Sequence, residues 1–397
     1  MNNKSHQQYD QEKRFSVKLF NLNIEVISKP GLHDWDQLLT STELLAEFQR
    51  LLPSDSVHIF GCHHGALCVF TALNLPIGKL SISDNNFIAL EMTCKTLETN
   101  HIYTANLITE ADLPPPENQA YDCAIIQMPK GRMLARRWLF QAYQSLKNSG
   151  RLYISGSNKS GIQSFIKDTT NLFGNGQILA YKKGNRVSKH VKQSGTCTLP
   201  DWTSAPGIAN GSWVEFSATI RDQNYLIRSL PGVFSFDHLD VGTKMLLEVV
   251  QIKPGCKVLD IGCGYGMIGL YAATHGAGWV DFIDSDLLAV ASCKQTLAIN
   301  RITNSTVYKG DLLGPVASST YDLIISNPPF HAGRAVNFQI AEAMIKQSYH
   351  ALNLDGHLII VANRFIPYDR LVKEIFGNVS FLADTPRFYV LTGIKSG

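Results

Sequence analysis

Apolar positions along this chain gather into short unbroken runs, each closed by a glycine or an acid and followed by a longer stretch of helical period. In the first half, residues 15–27 alternate in part and predict a hairpin or an edge strand. Residues 38–52 predict a helix stopping at Pro53, Ser56–Phe60 a strand, and the apolar stretch after Gly65 another helix. Lys79–Ser83, 121–126 and 151–155 predict buried strands, with helices over 88–97 and 134–146 between them. In the second half, strands are predicted over 213–220, 256–261, 279–283, 306–309, 321–326, 356–361 and 387–391, and helices over 245–250, 267–273 and 288–300. Such alternation has a parallel sheet flanked by helices as its natural solution.

A length of 397 residues exceeds one ordinary core. Two domains are expected, 1–194 and 195–397, divided where Pro200, Pro206 and several Ser and Gly residues break the pattern. The halves also repeat one another in order and approximate spacing: 59–65, 82–84, 121–122, 127–130 and 149–154 against 259–266, 283–284, 321–322, 327–330 and 355–360. The first copy lacks the acid before the glycines, two turn glycines and the Asn/Phe pair, which predicts a duplicated fold whose first copy does not catalyse.

The chemistry concentrates at predicted strand ends in the second half. Gly262-Cys263-Gly264-Tyr265-Gly266 turns from a strand into a helix, where small residues let the backbone approach a ligand closely. A glycine loop alone also suits a dinucleotide, but Asp260 just before it opposes a pyrophosphate and suits an amino-acid ammonium or its ordered water. Asp284, at the next strand end, is placed for two ribose hydroxyls, and Asp311, at the third, for an adenine amino group. This ordered set fits S-adenosyl-L-methionine better than a nicotinamide dinucleotide. The tetrapeptide Asn327-Pro328-Pro329-Phe330 follows a fourth strand. Asn327 offers a side-chain carbonyl, Pro328 a carbonyl without an N–H, and Phe330 a ring to cover a flat base. That combination suits methylation of a planar exocyclic amine; an Asn-Pro turn with Phe330 in the core is the plainer reading.

Charge changes the picture modestly. The net +3 neither demands nor excludes nucleic acid, but residues 1–195 carry 21 Lys/Arg against 16 Asp/Glu (net +5) and 196–397 carry 15 against 17 (net −2). The first half is therefore the side to grip a polyanion. Lys182, Lys183, Arg186, Lys189 and Lys192 form its densest basic cluster, read either as solvated linker charge or as backbone phosphate contacts. The 8 cysteines lack zinc-like spacing, and His63-His64 lacks a third spaced ligand, so no metal is expected. A polar start and the lack of a membrane-length apolar run point to a cytoplasmic protein.

Residues 239–242, 258–264, 325–333 and 360–364 together resemble bacterial rRNA guanine-N2 methyltransferases built from tandem methyltransferase-like domains. The likeness covers most of the chain and is strongest from Gly232 onward; 325–333 and 360–364 look more like the small-subunit enzymes, which act on 16S rRNA, than their large-subunit relatives. The resemblance implies an α/β fold of two tandem Rossmann-like class I methyltransferase domains, the first degenerate and RNA-binding. It implies that Asp260, Gly262 and Gly264 line the methionine end of S-adenosyl-L-methionine, Asp284 the ribose and Asp311 the adenine, with Asp240 counted among the cofactor residues. Asn327 and Pro328 would hold a guanine amino group and Phe330 would pack on the base. The implied partner is 16S rRNA, free or in a small-subunit particle, met by a monomer. Methylation of 23S rRNA, of adenine N6 or of protein glutamine N5, and an RNA-binding assembly factor with a vestigial site, are the competing readings.

Overall fold

A computed structural model describes residues 9–109, 120–195, 198–328 and 335–397 of the chain. It divides into two compact units, Asp10–Ser212 and, together with Tyr9, Trp213–Gly397. Among the described residues, no helix is long and apolar enough to cross a membrane.

The second unit opens with a hairpin, Val214–Ile220 against Gln223–Ser229. Arg221 (φ 45°) and Asp222 (φ 63°) make its turn, the left-handed pair that a two-residue hairpin loop demands. A seven-stranded sheet follows, in the order Ser305–Lys309, Trp279–Asp284, Lys257–Ile261, Tyr321–Ser326, Leu352–Asn363, Phe388–Ile394, Ser380–Asp384. The first five run parallel and the last two join antiparallel. Val258, Leu259, Ile324, Ile325, Leu358 and Ile360 are buried in the central strands, as continuous apolar runs covered on both faces must be.

Strand order reverses between Lys257–Ile261 and Tyr321–Ser326, so the chain leaves these neighbours in opposite directions and opens a crevice at their carboxyl ends. Ser326 ties the two ends together, its hydroxyl donating to the Ile261 carbonyl at 2.8 Å. The acids and the Asn-Pro step of the sequence analysis lie at this edge.

The first unit repeats the plan strand for strand. A hairpin, Lys13–Leu19 with Leu22–Ser28, precedes a sheet ordered Asn106–Ile108, Lys79–Ser83, Ser56–Phe60, Tyr121–Gln127, Leu146–Ser157, Asn185–Val191, Gln177–Lys182. Two expectations shift. Residues 182–192, read as linker or phosphate contact, form most of an antiparallel edge hairpin that turns at Lys183 (φ 48°) and Gly184 (φ 78°). The stretch 195–212, expected to open the second domain, belongs with the first unit. There the Arg137 guanidinium donates to the Gly207 carbonyl, and the Arg136 guanidinium lies 5.1 Å from the Trp202 ring centre. The division between the two units falls at 212/213.

Candidate active site at the carboxyl edge of the second sheet

Three glycines shape the loop after Lys257–Ile261, with φ of 68° at Gly262, 56° at Gly264 and 89° at Gly266. Their surroundings differ. A Cβ on Gly262 would meet nothing within 4 Å among the described residues, and one on Gly264 only Val233 Cγ1 at 3.9 Å. On Gly266 it would strike Cys293 Sγ at 2.7 Å. The first two glycines therefore keep a cradle open, whereas the third lets the loop pack on the helix Leu287–Ile299.

The acids stand on adjacent parallel strands. Asp260 is fully buried and accepts a hydrogen bond at Oδ2 from the Gly269 N–H at 2.9 Å, while its Oδ1 has no partner among the described residues. Burial pushes its pKa up to about 7, with Asp284 adding to the rise and the Gly269 amide opposing it. Asp284 accepts from the Gly264 N–H at Oδ2 and the Asp286 N–H at Oδ1, both at 2.8 Å. A carboxylate so held retains lone pairs for two further donors. Asp311 follows the third strand; its Oδ1 accepts from the Tyr9 hydroxyl at 2.6 Å. An unspent buried acceptor at Asp260, an open glycine cradle and two further strand-end acids fit a ligand carrying an ammonium, a ribose and an amino-purine.

Asp240 proves to have another task. It caps the helix Val241–Val249, its Oδ2 accepting from the Thr243 N–H at 2.8 Å. The same oxygen accepts from Asn327 Nδ2 at 3.2 Å, and Thr243 Oγ1 accepts from that nitrogen at 2.8 Å. A carboxylate cannot donate, so this pair fixes which end of the Asn327 amide is which. Both amide hydrogens are spent, and Oδ1 is left buried without a partner among the described residues. The geometry is that of a preset acceptor. Pro328 is buried beside it, and Phe330 lies outside the described residues. Thr243 was not singled out from the sequence; its spacing from Asp240, three residues into a helix, was the available signal.

The first unit shows the same frame with its openings filled. Asp84 matches Asp284, accepting from the Cys62 N–H at 2.8 Å and the Asn86 N–H at 2.9 Å. Gly61 (φ 81°) and Gly65 (φ 85°) match Gly262 and Gly266, so one turn glycine is replaced rather than two: His63 (φ 53°) stands where the second unit has Gly264. Its Nε2 is bonded to the His33 carbonyl, and His64 Nε2 to the Gln37 carbonyl at 3.2 Å. Burial lowers the pKa of both rings, that of His64 to about 3. Trp138 closes over Gly61, whose Cβ would come within 3.1 Å of the indole. Ile59 replaces Asp260, and Gln127, at the place of Asn327, is spent at both ends: it accepts from Thr42 Oγ1 and donates to the Gly61 carbonyl, each at 2.8 Å.

Of the basic cluster, Lys182 and Lys183 are exposed, Arg186 and Lys189 are half-buried, and the Arg186 guanidinium lies 4.7 Å from the Tyr181 ring centre. Lys192 leaves the set. It is buried, and its ammonium donates to the Tyr143 and Leu146 carbonyls, both at 2.7 Å. Lys395 does the equivalent in the second unit, donating to the Leu352 carbonyl at 2.7 Å. A contact built into both copies closes a helix end; it does not read phosphate.

Comparison with known proteins agrees with this geometry. The methyltransferase small domain profile matches residues 23–189 and again 224–392. The ribosomal RNA small subunit methyltransferase C of Chromohalobacter salexigens is 32% identical over 292 residues, 72% of this chain and 82% of its own length. That of Vibrio vulnificus is 34% identical over 278 residues, 69% and 77% of the two chains. Among solved structures, a T. thermophilus 16S rRNA N2 methyltransferase in complex with AdoMet and guanosine is similar with a TM-score of 0.79 and 25% identity, over 96% of this chain and 98% of that one.

Proposed function

The chain belongs to the methyltransferase small domain family, alongside the ribosomal RNA small subunit methyltransferases C, and from that premise we propose how its site works. It is an S-adenosyl-L-methionine-dependent methyltransferase that acts on the exocyclic N2 amine of a guanine in 16S rRNA. The observation that carries the residue-level reading is the Asn327 amide, locked by Asp240 and Thr243 with a bare carbonyl oxygen.

When bound, the cofactor supplies a methyl group activated on a sulfonium. The cradle at Gly262 and Gly264 admits its backbone-hugging end, Asp260 Oδ1 accepts from its ammonium, Asp284 from its ribose hydroxyls and Asp311 from its adenine amine. Asn327 Oδ1 and the Pro328 carbonyl accept the two hydrogens of the guanine amine. That amine is a poor nucleophile because its lone pair is shared with the ring; two acceptors orient it and favour a pyramidal nitrogen. Alignment and preset electrostatics supply the acceleration, without a covalent intermediate, and the N2 nitrogen sheds its extra proton to solvent after it has taken the methyl group. Phe330 is assigned to cover the base. Reaching a paired guanine requires unstacking, which favours exposed RNA or a small-subunit particle as substrate in the cytoplasm.

The first unit, with His63 and Trp138 in its cradle, takes no cofactor in this reading and supports RNA binding through Lys182, Lys183, Arg186 and Lys189. Incubation with unmodified ribosomal subunits, followed by nucleoside mass spectrometry, tests the assignment. N2-methylguanosine in 16S rRNA is expected. N6-methyladenosine, methylated glutamine, or product in 23S rRNA alone refutes it.

A further inference from the structure

Asp260 and Asp284 are held by backbone amides of their own loop and helix, but Asp311 is held by a phenol 302 residues away in sequence. Tyr9 precedes the first unit, yet clusters with residues 213–397. Tyr9 is only 5% exposed. A buried tyrosine needs an acceptor for its hydroxyl, and a carboxylate 2.6 Å away makes a short, charge-assisted bond. The place of that carboxylate matters. It follows Gly310, whose N–H donates to the Asp284 carbonyl at 3.1 Å, so Asp311 adjoins the ribose acid on the side where the base must lie.

We propose that Tyr9 is a positioning residue of the cofactor site: its hydroxyl sets Asp311 to receive the exocyclic amine of the purine. Tyr9 then completes the base end of a site otherwise built from residues after 212. The inference rests on the cofactor reading above. Its chemistry gives it a specific signature. A carboxylate oriented towards position 6 of a purine accepts from a 6-amino group and is repelled by a 6-oxo group, so fixing Asp311 sharpens that discrimination. Loss of the phenol hydroxyl leaves the ring in place but removes the short bond that directs Oδ1 of the carboxylate.

The test titrates the full-length protein with S-adenosylhomocysteine and with its 6-oxo counterpart, S-inosylhomocysteine, by calorimetry. Wild type, Tyr9→Phe, Asp311→Asn and the double variant are compared, and ligand-free unfolding midpoints are recorded alongside. Tyr9→Phe is expected to weaken the 6-amino ligand about 10-fold, as loss of one charge-assisted hydrogen bond implies, and to leave the 6-oxo ligand nearly unchanged. The double variant should bind no more weakly than Asp311→Asn, since both act through one carboxylate. Three results overturn the inference: unchanged affinity in Tyr9→Phe, equal weakening of both ligands, or losses that multiply in the double variant. Should Tyr9→Phe unfold early, Asp311→Asn still reports, because it accepts the same hydroxyl without charge and must lose the 6-amino preference. Binding of neither ligand by the wild type would sink the cofactor reading and this inference with it.

Discussion

Replacing Asp240 by serine separates the two tasks of that carboxylate. A serine at a helix N-cap accepts from the Thr243 N–H nearly as well as aspartate, so the cap of Val241–Val249 survives and stability changes by less than about 0.5 kcal/mol. What is lost is the charged acceptor 3.2 Å from Asn327 Nδ2. A hydrogen bond to a charged group contributes roughly 1.5–3 kcal/mol. Thr243 Oγ1 remains, but a hydroxyl both donates and accepts, so it no longer distinguishes the two ends of the amide. Asn327 then turns its NH2 towards the substrate amine for part of the time, where a donor is useless. The full orienting term sets the ceiling, and a kcat loss of about 10- to 100-fold is expected, the equivalent of ~1.4–2.7 kcal/mol at the barrier. Single-turnover transfer at saturating cofactor measures it, with cofactor affinity by calorimetry beside it. Asp240→Ala should show the same kinetic defect plus about 1 kcal/mol of lost stability. A tenfold fall in cofactor affinity with kcat unchanged would instead make Asp240 a cofactor ligand and defeat the orientation argument.

Asp260 gives a pH signature. Its carboxyl titrates near pH 7 in the fold against an ordinary value of 3.8, so the folded chain holds a proton that the unfolded one releases, and stability from this group falls as pH rises from about 4 to about 7. Ligand-free Asp260→Asn should therefore melt above wild type at pH 8, the gap narrowing towards pH 4, while only wild type gains cofactor affinity from pH 6 to 8. Gly264→Ala should cut cofactor affinity at least 10-fold with a modest loss of stability, whereas Gly266→Ala, driven into Cys293, should lose stability first; calorimetry and thermal unfolding distinguish them. Neutralising Lys182, Lys183 and Arg186 together should lower the log–log salt slope of RNA binding by about 2, while Lys192→Ala should destabilise the fold and leave the slope alone. Calorimetry on the full chain should count one cofactor per molecule, and two would restore a working site to the first unit.

The parallel core of both sheets was legible because each strand, such as Ser56–Phe60 or Trp279–Asp284, is an apolar run closed by a glycine or an acid. The antiparallel edge strands were not. Gln177–Lys182 and Ser380–Asp384 are short and mostly exposed, and their few apolar residues carry neither a turn signal nor an alternation that marks an edge strand. In the site, the glycine loop and the order of the acids followed from spacing, since backbone conformation and strand register are local matters. Asp240 entered through the resemblance alone, and its cap of a helix and its hold on an amide 87 residues on became visible only in the fold. Lys192 counted as surface charge until the fold brought two carbonyls to its ammonium. Tyr9 carried no signal, because nothing local ties a tyrosine before the first strand to an acid three hundred residues later.

On the proposed reading that the first unit takes no cofactor, its filled cradle bears on how such a half loses its ligand. Asp84 still accepts from two backbone amides, although one of them is Cys62, which matches Cys263 rather than Gly264, and the loop at His63 keeps the left-handed turn of Gly264. Side chains simply grew into the vacancy. Filling a cavity adds dispersion contacts and removes apolar lining from water, so each such step strengthens the fold as it ends the binding. Reversal runs uphill: a substitution that reopens the space, such as His63→Gly, creates a void before it creates a ligand site. On that reading the retirement of one copy is ratcheted by packing energy, while the second unit bears the opposite burden and keeps the space beside Gly262 and Gly264 open among the described residues.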